Sequence, residues 1–388
     1  MSLNSINFLS ELEIINEGVK SFVGEKYYMA TGDLSNDETN DLEFVSYNKK
    51  PSRAALTAKP GDVIFARMKG TNKVLLITEK ESDYIFSTGF VVLRPSENVN
   101  KSYLTHYLKS SLFQAEKDKL CTGATQKAIN NQNIEKLKFP LTQLVTQKRI
   151  SKILDTVNEL RHIDQAMLKK YNDLAQAIFI DMFGDIMENK NNYPITKFGD
   201  VCNELFLGLT SKVDYVVKGG YPLIRTTDIN QGELSFKKVK FISEAQHKKL
   251  TSRRITKKGD VLISKSGTLG TCAIVDSDEE FSTYESIFTV RANPQKLNNI
   301  FLVALIRNPS FQDKLIGGKV GAGVAHLNLN MLRELIFPLP PIELQNKFSN
   351  SYTSINSQIK IKEKSFTKSL DLFNALIQKA FKGELVYE

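Results

Sequence analysis

Leu137-Lys138-Phe139-Pro140-Leu141 returns as Leu335-Ile336-Phe337-Pro338-Leu339, 198 residues later. The same offset carries Gly61-Asp62-Val63 onto Gly259-Asp260-Val261, Gly123-Ala124 onto Gly321-Ala322, Asn130 onto Asn328 and Gln147 onto Gln345. Solenoid units are much shorter, about 20–50 residues, so this period marks a duplicated domain with its own appended element. Two copies in one chain imply pseudo-twofold symmetry and a target with two halves.

Working outward from the repeated Phe-Pro-Leu, each copy has a mixed part before it and a helical part after it. In the mixed part, Val63–Ala66, Val74–Ile77 and Phe90–Leu93 read as strands. So do Val261–Ile263, Cys272–Val275 and Ile287–Val290. Tyr103–Lys119 and Ile300–Leu315 read as amphipathic helices that follow them. The fold class is α+β: two duplicated α+β domains separated by two long helices.

Proline is tolerated in a helix's first turn and disfavours helix before it, so Pro140 and Pro338-Leu339-Pro340-Pro341 mark where the long helices begin. Beyond them the apolar period becomes 3.5. In the first copy Ile150, Ile153, Val157, Leu160, Asp164, Met167, Tyr171, Leu174 and Ile178 alternate by three and four. In the second, Tyr352, Ile355, Ile359, Lys362, Phe366, Ser369, Phe373, Leu376 and Ala380 do the same. This is the seam of a coiled coil; two amphipathic helices buried on their own domains are the alternative. Antiparallel pairing sets Leu160 against Phe366, Asp164 against Lys362 and Met167 against Ile359, and so fixes a register. A stretch of about 35 residues at about 1.5 Å each makes a ruler of roughly 50 Å.

The boundaries that follow are a first domain over 1–142, a helical region over 143–184, a linker over 185–193, a second domain over 194–340 and a second helical region over 341–388. The second domain opens with Ile195-Thr196-Lys197-Phe198-Gly199-Asp200-Val201; the first shows no matching opening before Leu12.

Composition is that of a globular protein, 41% hydrophobic and 24% charged over 388 residues, with no apolar run of membrane-spanning length and no signal-peptide pattern. Three scattered cysteines, Cys121, Cys202 and Cys272, argue for a reducing compartment, the cytoplasm, and against a disulfide framework or zinc site. Net charge is +9, and the helical regions are nearly balanced, so most of the excess lies in the mixed domains. A polyanion partner is expected there.

A search for chemistry returns little. His106, His162, His247 and His326 sit at no metal-ligand spacing. Gly267-Thr268-Leu269-Gly270 lacks the lysine of a phosphate loop and reads as a tight strand connection. Gly317-Gly318-Lys319-Val320-Gly321-Ala322-Gly323 follows a helix, which is the wrong context for a dinucleotide fingerprint. Asn308-Pro309-Ser310-Phe311 lacks the second proline of the adenine-methyltransferase loop and reads as a helix kink or loop. What remains is polar loops at matching places: Arg67, Lys69, Thr71 and Lys73 after one Gly-Asp-Val strand, Lys265, Ser266 and Thr268 after the other. Gln126 and Lys127, Arg225, Thr226 and Thr227, and Lys319 complete the candidates. Such cationic, amide and hydroxyl groups contact phosphates and base edges.

Four stretches together carry a family resemblance: Gly259–Gly270, Tyr221–Ile229, Phe337–Gln345 and the closing Leu376–Leu385. In them the chain resembles the specificity subunit of type I restriction–modification systems over nearly its full length. The resemblance implies two target recognition domains, each reading one half of a split, asymmetric site in double-stranded DNA. It implies two antiparallel helical regions and two modification subunits as partners, with restriction subunits an open addition. It implies no catalysis and no cofactor on this chain, S-adenosylmethionine being held by the modification subunits. The rival readings are a coiled-coil DNA-binding or interaction scaffold outside restriction, and a fragment of a fused nuclease–methyltransferase.

Overall fold

The computed structural model describes residues 4–35, 38–39, 42–208, 213–217, 219–230, 232–265, 270–316 and 327–385. They form two compact units: Met1–Ala166 together with Lys362–Glu388, and Met167–Ile361.

Each unit has the same main sheet. In the first, Leu12–Ile15, Phe90–Pro95, Val63–Ala66 and Val74–Leu76 pair antiparallel in that order. In the second, Cys202–Leu207, Ile287–Ala292, Val261–Ser264 and Cys272–Ile274 do so. The predicted strands are thus present. Their runs are continuously apolar because both faces are covered. Val63, Phe65, Val91 and Leu93 point into one core, while Ile64, Ala66, Phe90 and Val92 point into another. A second, four-stranded sheet in each unit holds one parallel pair, Glu25–Met29 with Ile85–Ser87 and Tyr221–Ile224 with Ser282–Thr283.

The repeated Gly-Asp-Val closes a turn. Gly61 and Gly259 have φ of +95° and +89°, a region where a side chain is strained. Asp62 accepts from the Lys59 N–H at 2.8 Å and takes a two-pronged bond from Arg94. Asp260 does the same with Lys257 at 2.7 Å and Arg291. Asn130 and Asn328 cap short helices, accepting from Asn133 and Met331 N–H groups. Gln147 and Gln345 are fully buried at the starts of the long helices. Each amide oxygen accepts from the backbone of a helix N-cap, Asn100 or Asn298, and each amide nitrogen donates to two carbonyls.

Four expectations change. First, the first domain does have an opening: Asn4–Asn7 pairs antiparallel with Lys138–Leu141, as Ile195–Lys197 pairs with Ile336–Pro338, and Phe8 is buried as Phe198 is. Second, each amphipathic helix is two helices. Lys101–Lys109 and Ser111–Lys119 meet at Ser110, whose hydroxyl accepts from Phe113 N–H; Asn299–Arg307 and Pro309–Ile316 meet at Asn308, which accepts from Phe311 N–H. The Asn-Pro-Ser-Phe stretch is therefore a helix cap. Third, the linker is packed. Ile186 is buried in the second unit's core and Asp185 accepts from Ser310 at 2.7 Å.

The fourth concerns the long helices, Leu144–Phe183 and Ile342–Lys382. In the first unit Asp164 accepts from Lys362 Nζ at 3.0 Å and from the Ser365 hydroxyl at 2.7 Å, while the Arg161 guanidinium lies 4.9 Å from the Phe373 ring centroid. Rising numbers on one helix meet falling numbers on the other, so the pairing is antiparallel. In the second unit Phe179 and Phe183 pack on Phe348, and Met167 and Ile359 are both half-buried. The buried stripe of the first helix, however, runs through Ile150, Leu154, Val157, Asp164, Ala175 and Phe179. Ile153, Leu160 and Leu174 lie outside it, 36%, 50% and 45% exposed. Leu160 is thus half exposed, while its neighbour Arg161 and the facing helix's Phe366 are each half-buried.

Candidate nucleic-acid interface

The loop after Val63–Ala66 is built around a lysine that the sequence reading passed over. Lys117 is wholly buried and its ammonium donates to the carbonyls of Thr71 at 2.7 Å, Met68 at 3.1 Å and Ala66 at 3.5 Å. Burial pushes its pKa down, partly offset by Asp118. Carbonyls that would otherwise need water are thereby satisfied from inside, and the loop 66–73 is held in one shape. At the equivalent place the second copy has Leu315, also buried.

Of the candidates in the first domain, Arg67 is committed inward. It donates to the carbonyls of Phe90 and Ile129 and to Asn131, and burial lowers its pKa. Lys73 donates to the carbonyls of Thr31 and Gly32. Thr71 serves the loop through its carbonyl. Lys69, Gln126 and Lys127 are exposed, and the backbone brings them together: Lys69 N–H donates to the Lys127 carbonyl at 2.9 Å. The 122–128 segment is closed by Thr122 and Ala128, which exchange backbone bonds. A side chain at Gly123 would stand 2.4 Å from the Gln126 carbonyl, so the turn needs glycine. These three residues, with Gly70 held by Asp118, form one exposed polar surface.

In the second domain Arg225 forks onto the buried Asp228 at 3.0 and 2.9 Å and also reaches the Lys238 carbonyl. Asp228 in turn accepts from the Arg225 N–H at 2.9 Å, as Asp33 accepts from Ala30 N–H at 2.8 Å in the first. Arg225 is thus a loop brace, and Thr226 and Thr227 sit in the turn it braces, the first half-buried and the second exposed. Lys265 is half-buried and its N–H donates to the Ser286 carbonyl at 2.7 Å. Ser266, Thr268 and Lys319 lie outside the described residues, as do His326 and most of the two glycine-rich stretches.

Other reactive groups are spent on structure. His106 shares Asp155 with Ser102, at 2.7 Å each, and faces Phe373 edge-on. His247 stacks flat on Tyr221 and bonds Ser282; burial lowers its pKa. Burial pushes the Cys202 and Cys272 thiols up to about 12, far from a nucleophile's range. Among the described residues no three metal-ligating side chains converge, and no helix is long and apolar enough to cross a membrane.

A duplicated α+β domain with polar, backbone-braced loops and paired long helices is a frame that displays two sets of recognition loops. The chain belongs to the type I restriction modification DNA specificity domain family, which it matches over residues 7–170 and 189–369. It is 22% identical over 378 residues to the type I restriction enzyme EcoKI specificity subunit of Escherichia coli (strain K12), covering 90% of this chain and 79% of that one. To the EcoBI specificity subunit of Escherichia coli it is 26% identical over 323 residues, covering 74% and 66%. The type I restriction–modification S subunit from M. genitalium shares the fold with a TM-score of 0.63 at 14% identity, covering 98% and 96% of the two chains. A chain solved in work on complex assembly and conformational transition of the type I R-M system gives 0.57 at 17%, covering 99% and 98%. The protein is a DNA specificity subunit of a type I restriction–modification system.

Proposed function

We propose that residues 1–142 and 194–340 are target recognition domains, each reading one half of a split site in double-stranded DNA. The long helices set the gap between the halves and dock two modification subunits, which hold S-adenosylmethionine and carry out methyl transfer. The chain itself catalyses nothing. One observation carries this reading: the same sheet, turn and helix-docking glutamine occur twice, while the exposed loop chemistry differs between copies. A duplicated frame with diverged loops is what reading two different half-sites requires. Lys69, Gln126 and Lys127 are the readers assigned to the first domain, and Thr227, Lys265, Ser266, Thr268 and Lys319 to the second. Ile153, Leu160 and Ile163 recur at helical spacing outside the buried stripe, at 36%, 50% and 49% exposure, and supply an apolar face for a modification subunit.

The test is methylation-aware sequencing of DNA from cells expressing this chain with its modification subunit. A two-part motif with a methylated adenine on each strand is expected. A continuous motif, or methylation that persists without this chain, would refute the assignment.

A further inference from the structure

The densest cationic run of the chain has no part in the site above. Lys248-Lys249-Leu250-Thr251-Ser252-Arg253-Arg254-Ile255-Thr256-Lys257-Lys258 holds six cations and no carboxylate. It leads from the helix Glu244–Thr251 to the turn before Gly259-Asp260. It walls a cleft of about 390 Å³, closed on its other sides by the strand end Phe206–Gly208 and by Phe281–Thr283. The floor is backbone against backbone, since a side chain at Gly208 would stand 2.1 Å from the Thr283 carbonyl. At the ends of the run Lys248 pairs with Glu244 and Lys258 with Asp278, each at 2.6 Å. Arg253 and Arg254 are exposed and, among the described residues, form no ion pair; Arg254 lies 5.7 Å from the centroid of the Phe206 ring. No carboxylate lines the cleft.

The first domain has a cleft in the same place, about 630 Å³, with Lys59 before its Gly-Asp turn as Lys257 stands before the other. There two of the three lining cations have carboxylate partners. Lys26 pairs with Asp83, and Lys59 lies 3.6 Å from Glu17. That cleft sets two carboxylates, Glu17 and Asp83, against three cations, Lys20 being the third, whereas the second-domain cleft sets none against Arg253 and Arg254.

We propose that the second-domain cleft is a phosphate clamp, in which Arg253 and Arg254 grip the DNA backbone irrespective of sequence, and that the first-domain cleft has no such role. The guanidinium fork matches phosphate oxygens. A stripe of like charges with Lys249 and Lys257 on either side suits a regularly charged backbone better than a base edge, whose reading needs donors and acceptors placed singly. The clamp rests on the DNA-recognition reading above and makes its grip asymmetric.

The test uses the full chain with its modification subunit. Binding is measured over a salt series to a duplex carrying the methylated motif and to a scrambled duplex. R253A/R254A should weaken both duplexes by the same factor and flatten the slope of log K against log salt by about two, at roughly 0.9 per phosphate contact. R253K/R254K should retain most of the slope, and K26A/K59A should change it by less than about half. An unchanged slope overturns the clamp, as does competition by millimolar inorganic phosphate equal to that by DNA. Weakening confined to the motif duplex makes the arginines base readers and also overturns it. If the unmutated complex binds neither duplex, the recognition reading itself falls, and the clamp with it.

Discussion

Asp62 and Asp260 show why a two-residue signature survives duplication. Each carboxylate fastens a left-handed glycine turn and an arginine on the neighbouring strand, so the turn and the sheet are one hydrogen-bonded unit. Replacing Asp62 by Ala strands the Lys59 N–H and the Arg94 fork. Urea unfolding should show a loss of about 2–3 kcal/mol, with Asp260→Ala similar in the other unit. Lys117 is a different case. A lysine on an amphipathic helix reads as surface, and only the fold reveals three carbonyls around it. The bracing roles of Arg67 and Arg225 are hidden for the same reason: an arginine beside a loop looks free until its acceptors are in place. Gln147, Asn130 and the Gly-Asp turn were legible through the repeat, because identical backbone tasks keep identical residues.

The paired helices carry the clearest correction. Apolar character alone favoured Ile153, Leu160, Met167 and Leu174, whereas moving the second helix's seam back by 198 residues gives Leu154, Arg161, Leu168 and Ala175. The repeat is the better guide than hydrophobicity at these positions, since Arg161 lays its guanidinium on Phe373 and Ala175 is buried where Leu174 is exposed. Leu154→Ala should cost about 2–5 kcal/mol in urea unfolding. Ile153→Ala and Leu160→Ala should stay within about 0.5 kcal/mol yet reduce co-purification of a modification subunit; unchanged co-purification would remove the docking face. At Asp164, burial alone would raise the pKa, but the Ser365 and Lys362 bonds outweigh it and hold the carboxyl below its usual range. A depressed carboxyl pKa contributes stability above the unfolded value, about 3.9, that is lost as pH falls through the folded one. The stability gap between the native chain and Asp164→Asn should therefore be full at pH 7 and shrink below about pH 4. A pH-independent gap would mean the pair contributes by packing alone.

For the whole molecule, the duplicated sheets were readable because their strands are buried on both faces and so uninterrupted by polar residues. The opening strand Asn4–Asn7 was not, being short, polar and displaced from the common offset; only Phe8 marks it. The arginine cleft is hidden from the repeat because its counterpart holds carboxylates among its cations and no arginine pair. If the helices are a ruler, deleting one heptad from each removes about 10 Å, and the gap in the methylation motif should shorten by about three base pairs. A motif with an unaltered gap would show that the spacing is set elsewhere.

The first unit is discontinuous: Ile150, Leu154 and Val157 share their core with Phe373, Ile377, Ala380 and Phe381. On the ribosome, then, the domain made first is the one completed last. Its apolar helix face must wait, uncovered, through synthesis of the entire contiguous second unit. A chain stopped at residue 361 would lose no residue of that second unit yet leave the first with an open flank, exposed to proteases and to other nascent chains. Pulse-labelled synthesis followed by limited digestion should find the second unit resistant before the first. Synthesis of the second long helix beyond residue 361 thus becomes the step that makes the first unit durable.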